Sequence, residues 1–208
     1  MIESPTGSSV RAVAIACSPR AGGNTDILLE EFVRGMKEGG ADVETVCVRS
    51  LKIRSCTECN KCSETGRCVI RDDMDRVYTL IESSDRIVVA SPVFFYQTSS
   101  HAAKIVERGQ VFWARKHLLG TPLPAERNGI KRLGAWLAVG ATSGKKLFDG
   151  MLLTARFYYS ALNTPLAETL TYRGIDEKGA IHSHPTAIED ARAAGRRFAD
   201  PARGVKVT

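Results

Sequence analysis

The sequence predicts an α/β fold: a doubly wound, five-stranded parallel sheet in the order 2-1-3-4-5, with helices on both faces. Three observations predict it. Short apolar runs alternate with segments of helical period five times along the chain. The run Ile87–Ala90 is apolar at consecutive positions, and Val10–Ala16 nearly so, as strands covered on both faces are. Distinctive clusters follow the first, third and fourth runs, and a sheet wound in this order gathers ligands at the carboxyl ends of its strands. Right-handed crossovers leave few other topologies.

In chain order, Val10 to Ala16 is the first strand, interrupted in character only by Arg11. A helix follows the next turn, with Leu28, Phe32 and Met36 on one face and Leu29 beside them. Asn24 or Thr25 suits its N-cap, and Gly39-Gly40 stops it. Val43 to Val48 is the second strand. After a cysteine-rich loop, Asp72-Asp73 opens a helix in which Met74, Val77, Tyr78 and Ile81 recur at helical spacing. Ile87 to Ala90 is the third strand, leading into a loop over Ser91–Tyr96. Residues 100–115 read as one helix. Residues 116–131 read as irregular, a long connection open to a role as an oligomer arm or a lid. Leu133 to Val139 is the fourth strand, 146–161 a helix, 165–172 the fifth strand and 186–199 a closing helix.

The 208 residues are 43% apolar, enough to bury a core without staples, which excludes a disordered chain and a disulfide-held mini-protein. Residues 10–199 read as a single domain with a cysteine loop at 56–68, and 1–9 and 200–208 as disordered ends. The net charge of +6 is spread along the chain, so it favours anionic ligands without forming a nucleic-acid tail. No apolar stretch approaches the roughly 20 residues of a membrane span, and Met1–Ser9 carries no signal-peptide core. The expectation is a cytoplasmic protein with neither nucleic acid nor membrane as partner.

Ser18-Pro19-Arg20-Ala21-Gly22-Gly23-Asn24-Thr25 joins the first strand to its helix. A helix N-terminus offers free N–H groups and a partial positive charge, so it takes phosphate readily. Gly22 and Gly23 allow close backbone approach. Ser18, Asn24 and Thr25 can donate hydrogen bonds, and Arg20 adds a bidentate cation. Other phosphate motifs fail. No G-x-G-x-x-G is present, and Gly140–Lys146 is one residue short of a P-loop and lacks its hydroxyl. After the third strand, Pro92-Val93-Phe94-Phe95-Tyr96 offers a wall for a flat heteroaromatic ring. Taken alone, these aromatics would better suit a core or an oligomer interface. Beside a phosphate loop, a phosphorylated flat ring accounts for both clusters.

These two segments together resemble the flavodoxin-like NADPH-dependent FMN reductase superfamily, and the resemblance covers roughly residues 10–199. It implies that Ser18, Arg20, Gly23, Asn24 and Thr25 hold the FMN phosphate and that Pro92, Val93, Phe94, Phe95 and Tyr96 hold the isoalloxazine. Thr142, Ser143 and Gly144 match more weakly a third loop that touches the flavin.

Four of the six cysteines fall in one run, Cys56-x2-Cys59-x2-Cys62-x5-Cys68. Structural zinc favours two separated C-x-x-C pairs, whereas thiols spaced by two residues wrap one compact polynuclear core. The fourth cysteine departs from the ferredoxin spacing, following after five residues and preceding Val69 rather than Pro. Spacing leaves a cluster, a zinc ion and unliganded redox thiols all open. The run resembles the iron–sulfur flavoprotein branch of the same superfamily, as does Asp72-Asp73-Met74. That resemblance implies one [4Fe–4S] cluster on Cys56, Cys59, Cys62 and Cys68.

Cys17 and Cys47 read as small buried hydrophobes. Phe112 and Trp113 read as core or subunit packing, Lys104, Glu107 and Arg108 as a charged helix face, and His182-x-His184 as a solvated loop. The expected function is an FMN-dependent oxidoreductase and electron-transfer protein in which no residue need act as nucleophile or general base. Its donor would be a ferredoxin-like protein or NAD(P)H, and its acceptor a quinone, an oxygen species or another protein. By resemblance it would be a homo-oligomer. The alternatives are an NAD(P)H-dependent FMN or quinone reductase without a cluster, and a zinc-holding interaction protein.

Overall fold

The computed structural model describes residues 9–204, so residues 1–8 and 205–208 of the expected disordered ends lie outside the described residues, while the Asp200 carbonyl accepts from buried Arg86 (2.7 Å) and Arg203 pairs with Glu168 (2.7 Å). In chain order the strands are β1 (Arg11–Ala16), β2 (Asp42–Cys47), β3 (Arg86–Phe94), β4 (Gln97–Thr98), β5 (Glu126–Arg127), β6 (Ile130–Lys131), β7 (Leu133–Val139) and β8 (Leu166–Tyr172). The helices are α1 (Asn24–Glu38), α2 (Cys62–Thr65), α3 (Met74–Ser83), α4 (Ser100–Arg108), α5 (Gln110–His117), α6 (Asp149–Ala161) and α7 (Ala187–Ala199). The five long strands pair in parallel as β2-β1-β3-β7-β8, which is the expected order.

Alternate residues of the central strands feed two apolar layers. Ala12, Ala14, Val88 and Leu137 face α1 and α7, where Leu28, Phe32, Met36 and Phe198 complete one layer. Val13, Ile15, Val89 and Trp136 face α3 to α6, where Val77, Ile105, Phe112 and Met151 complete the other. α1 and α7 cross with their backbones in contact. A Cβ on Gly35 would stand 2.0 Å from the Arg192 carbonyl oxygen, and one on Gly195 2.0 Å from that of Phe32. Glu38, at the end of α1, accepts from Arg192 and from Arg196 (2.8 Å) on α7.

Several expectations about elements are corrected. The N-cap of α1 is Gly23, one residue early, with Asn24 already helical. β3 does not stop at Ala90 but runs through Ser91 and Pro92 to Phe94, where β4 turns back on it. The single helix over 100–115 is two, α4 and α5, meeting at Gly109. A Cβ there would press 2.8 Å from the Tyr158 ring of α6, so α6 packs against the break. The helix over 146–161 begins at Asp149.

The segment 116–131 is not irregular throughout. β5 and β6 form a hairpin around Asn128-Gly129, both at positive φ, as a two-residue turn between right-twisting strands demands. Arg127 reaches from it to both carboxylate oxygens of buried Asp85 (3.0 Å each), which also accepts the Arg11 N–H (2.9 Å). Asp85 lies where β3 begins, so the hairpin is moored at the amino end of the sheet and is no lid over the carboxyl end.

Candidate functional site

The carboxyl ends of β1 and β3 are locked together. Ser99, the side-chain cap of α4, donates to the Cys17 carbonyl (2.7 Å), and its N–H donates to Ser91 Oγ (3.0 Å). Between these ends lies a cleft of about 340 Å³, lined by Ser18, Arg20, Gly23, Asn24 and Thr25 from one side and by Pro92, Val93 and Phe94 from the other. The two clusters therefore meet.

The individual roles differ from expectation. The Ser18 hydroxyl is engaged with Arg20, accepting from its N–H (3.2 Å) and donating to its carbonyl (3.0 Å), so it shapes the turn. Asn24 is fully occupied. Its amide donates to the carbonyls of Asp176 and Glu177 (3.4 and 2.8 Å), and its Oδ1 accepts the Ile181 N–H (3.2 Å). Buried Thr25 keeps its hydroxyl without a partner among the described residues, as do the N–H groups of Asn24 and Thr25. These are the orphan donors a helix start presents to an anion. Below the loop, Asp26 accepts from Gly22 N–H (3.0 Å) and from Arg49 (2.8 Å), and Arg49 also donates to the Ser18 carbonyl (3.3 Å). Sequence reasoning missed this brace because its halves lie on α1 and after β2.

Phe95 and Tyr96 do not line the cleft. They form the two-residue turn between β3 and β4 with φ of 48° and 63°. Bulky side chains in the left-handed region cost energy, and such strain concentrates at ligand sites. Phe95 is 98% exposed. Thr142, Ser143 and Gly144 also stand outside the lining, to which Val139 and Ala141 contribute instead. They adjoin the aromatic turn, since a Cβ on Gly144 would fall 2.4 Å from the Tyr96 hydroxyl. Ile175 and Asp176, after β8, line the cleft and were missed. The rule that placed the other loops, applied to the fifth strand, finds them.

All four clustered cysteines line a second cleft of about 470 Å³, with Ile70, Val111 and the end of α4. Glu58 and Asn60 adopt positive φ, and α2 stops at Gly66 with φ 67°. Burial pushes the Cys62 thiol up, and its neighbours Cys68, Cys56 and Cys59 add to the rise. The Glu58 N–H donates to Cys56 Sγ (3.4 Å). Among the described residues, no three His, Cys, Asp or Glu side chains close on a point that would clasp a single metal ion.

The cysteine cleft shares no lining residue with the first. The nine residues of α4 rise about 12 Å from Ser100, near the first cleft, to Arg108 at the second. The cysteine loop follows the second strand, beside the first, so the sequence puts it at the same sheet edge as the loops after the first, third and fourth strands; it instead folds back along α4, away from the first cleft.

Arg108 is the cause. Far from lying on a charged face, it is 1% exposed. Its guanidinium donates to the Arg54 carbonyl (3.0 Å), the Ile70 carbonyl (3.2 Å) and Asp72 Oδ2 (2.8 Å), which ties the two ends of the cysteine loop together. Burial raises the Asp72 carboxyl, but hydrogen bonds from Arg108 and from the Arg54 and Met74 N–H groups outweigh it and hold it below the ordinary range. A depressed carboxylate stabilises the fold above its unfolded value of about 3.9, and that contribution fades as pH falls through the folded value. Melting temperature should therefore drop more steeply below about pH 4 in the wild type than in Asp72→Asn. Equal slopes would remove the linkage.

His184 is likewise not a bare loop residue, since its Nδ1 accepts from the N–H groups of Thr186 and Ala187 (3.3 and 3.1 Å) at the start of α7. Cys17 and Phe112 are buried as expected, Cys47 is half-buried, and Trp113 is partly exposed against His117.

Residues 10–154 match the family described as NADPH-dependent FMN reductase. The chain belongs to that family. Within this FMN reductase family it is similar to an iron–sulfur flavoprotein of Archaeoglobus fulgidus, 36% identical over 111 residues, covering 53% of this chain and 50% of the relative. It is also similar to the iron–sulfur flavoprotein MJ1083 of Methanocaldococcus jannaschii, 26% identical over 200 residues, covering 95% of this chain and 100% of that one. The chain thus spans half the first relative and the whole of the second. Among solved structures, the NAD(P)H:quinone oxidoreductase from Methanothermobacter marburgensis superposes with a TM-score of 0.68 at 13% identity, covering 95% of this chain and 100% of that one, a likeness of fold. The cleft between β1 and β3 fits what an FMN reductase must hold. Its orphan N–H groups and Arg20 suit a phosphate, and Pro92, Val93 and Phe94 suit a flat ring.

Proposed function

We propose that this FMN reductase family member is an oxidoreductase of the iron–sulfur flavoprotein type. It would carry FMN in the cleft between β1 and β3 and a [4Fe–4S] cluster on Cys56, Cys59, Cys62 and Cys68. The observation that carries the reading is that the phosphate loop and the β3 wall line one cleft while four thiols line a second. A lone tetrahedral zinc would draw thiolate sulfurs to about 3.8 Å from one another. Thiols that line a cleft of about 470 Å³ leave room for a core in which each binds its own iron.

Bound FMN supplies two-electron chemistry and a cluster supplies single-electron transfer. The chain's own residues bind and orient. The first turn of α1 and Arg20 fix the phosphate, and the Asp26–Arg49 brace holds their loop in shape. Pro92 to Phe94 set the plane of the ring. Phe95 and Tyr96 are presented to an incoming donor or acceptor, a ferredoxin-like protein, NAD(P)H, a quinone or an oxygen species. The thiolates need a reducing compartment, which fits the cytoplasm, and a homo-oligomeric assembly belongs to the same reading.

Anaerobic purification followed by iron, sulfide, zinc and FMN analysis tests it. The expected result is a brown protein with about four irons per chain, and Cys59→Ala should lose that iron while retaining FMN. A yellow wild type without iron would instead make it a cluster-free FMN or quinone reductase. A colourless, zinc-loaded one would end the flavin reading.

A further inference from the structure

The connection from β8 to α7 touches the phosphate loop at more than its lining residues. A Cβ on Gly22 would lie 3.6 Å from both Cε and Nζ of Lys178. Gly22 has φ +62°, a conformation glycine adopts without strain, and the ammonium of the exposed Lys178 lies within van der Waals reach of this turn at the edge of the cleft. No side chain or carbonyl among the described residues accepts from that ammonium, although Asp176 and Glu177 are its neighbours in sequence. The connection is held there by Asn24, whose amide spans Asp176, Glu177 and Ile181. Thr25, nearly fully buried with an unpartnered hydroxyl, lines the cleft beside it. Charge balance gives Lys178 a purpose. Arg20 and Asp176 both line the cleft, so among its lining side chains one cation stands against one anion, and Lys178 adds a second cation at its edge.

We infer that Lys178 is a phosphate-binding residue for FMN and that Asn24 is the positioning residue that delivers it. The inference rests on the FMN reading above and adds a residue from the far end of the chain to the phosphate site. The Asn24 side chain thus serves the phosphate through Lys178, while its backbone N–H faces the anion with that of Thr25. The ammonium reaches a ligand that carries phosphate and makes no distinction among ligands that lack it.

The test compares FMN with riboflavin, which lacks only the phosphate, by fluorescence quenching on the flavin-stripped full-length protein. In the wild type FMN should bind more tightly than riboflavin. Lys178→Gln should weaken FMN about tenfold, a change of roughly 1.4 kcal/mol, and leave riboflavin unchanged. It should also flatten the salt dependence of FMN binding. Lys178→Arg should restore most of the loss. Asn24→Ala should reduce the preference for FMN, and in the Lys178→Gln background it should reduce it little further. An unaltered FMN-to-riboflavin ratio in Lys178→Gln, with the wild type still favouring FMN, would overturn this inference alone. A wild type that bound neither flavin would overturn the FMN reading and this inference with it.

Discussion

Arg108→Met should destabilise the protein by about 3–5 kcal/mol and, on the cluster reading proposed above, strip it of iron. The guanidinium is buried, and its partner Asp72 has a side chain only 6% exposed. Removing the cation leaves a buried carboxylate with two backbone N–H groups and, as counter-charge, only the exposed Arg54 guanidinium at 4.0 Å. Breaking a buried pair from one side carries that full penalty. The Arg54 and Ile70 carbonyls also lose their shared donor, so the entry and exit of the cysteine loop part from each other. Urea unfolding and iron analysis read the two consequences separately. Pairing the change with Asp72→Asn should recover part of the stability but none of the iron, because loop closure needs the guanidinium itself. A loss below about 1 kcal/mol would show that the pair behaves as a surface one and that Arg108 is no anchor.

The second large effect belongs to the helix crossing. Gly195→Ala places a methyl where the Phe32 carbonyl oxygen already sits, 2.0 Å away, and the Met36 nitrogen lies at 3.0 Å. Neither is the end of a flexible side chain, so α1 and α7 must move apart along their length. Separation loosens Phe32 against Phe198, whose ring centroids are 5.6 Å apart, and pulls at the Glu38 contacts to Arg192 and Arg196. Alanine is the better helix former by about 1 kcal/mol, but overpacking of this kind costs about 1–3 kcal/mol or more. With backbone atoms as the obstacle, the net loss should reach about 2 kcal/mol, a fall in melting temperature of roughly 4–8 °C. Gly204→Ala, where a Cβ meets nothing within 4 Å, is the control. An unchanged melting curve for Gly195→Ala would mean that the helices can separate freely.

Much of this was readable from the chain because the signals were local. Ile87–Ala90 is apolar at every position, and only a strand covered on both faces rewards that. The double glycine at 39–40 stopped α1 where it ought to. Asn128-Gly129 carried a hairpin signal strong enough to find β5 and β6, but surrounding prolines and glycines masked it. The remaining errors share a different origin. Gly109 breaks a helix whose local sequence would continue, and its neighbour across the gap is Tyr158, far along the chain. Arg108 reads as exposed on its own helix and is buried only because the cysteine loop folds over it. Asn24 looks like a cap or a phosphate donor until the β8–α7 connection occupies its amide. Phe95 and Tyr96 take a turn that favours Asn-Gly, and no propensity would place them there. In the site itself, the two lining segments were legible as motifs, while the distance between the two clefts depended on which way one loop folds back.

The union of α1 with α7 also sets the order in which the protein can be built. One apolar layer, on the α3–α6 side, draws on residues up to Leu162 and can assemble as the ribosome works. The other has Leu28, Phe32 and Met36 among its earliest members and Phe198 among its last. A nascent chain must therefore display that greasy stripe to solvent, or to a chaperone, through the synthesis of almost everything between.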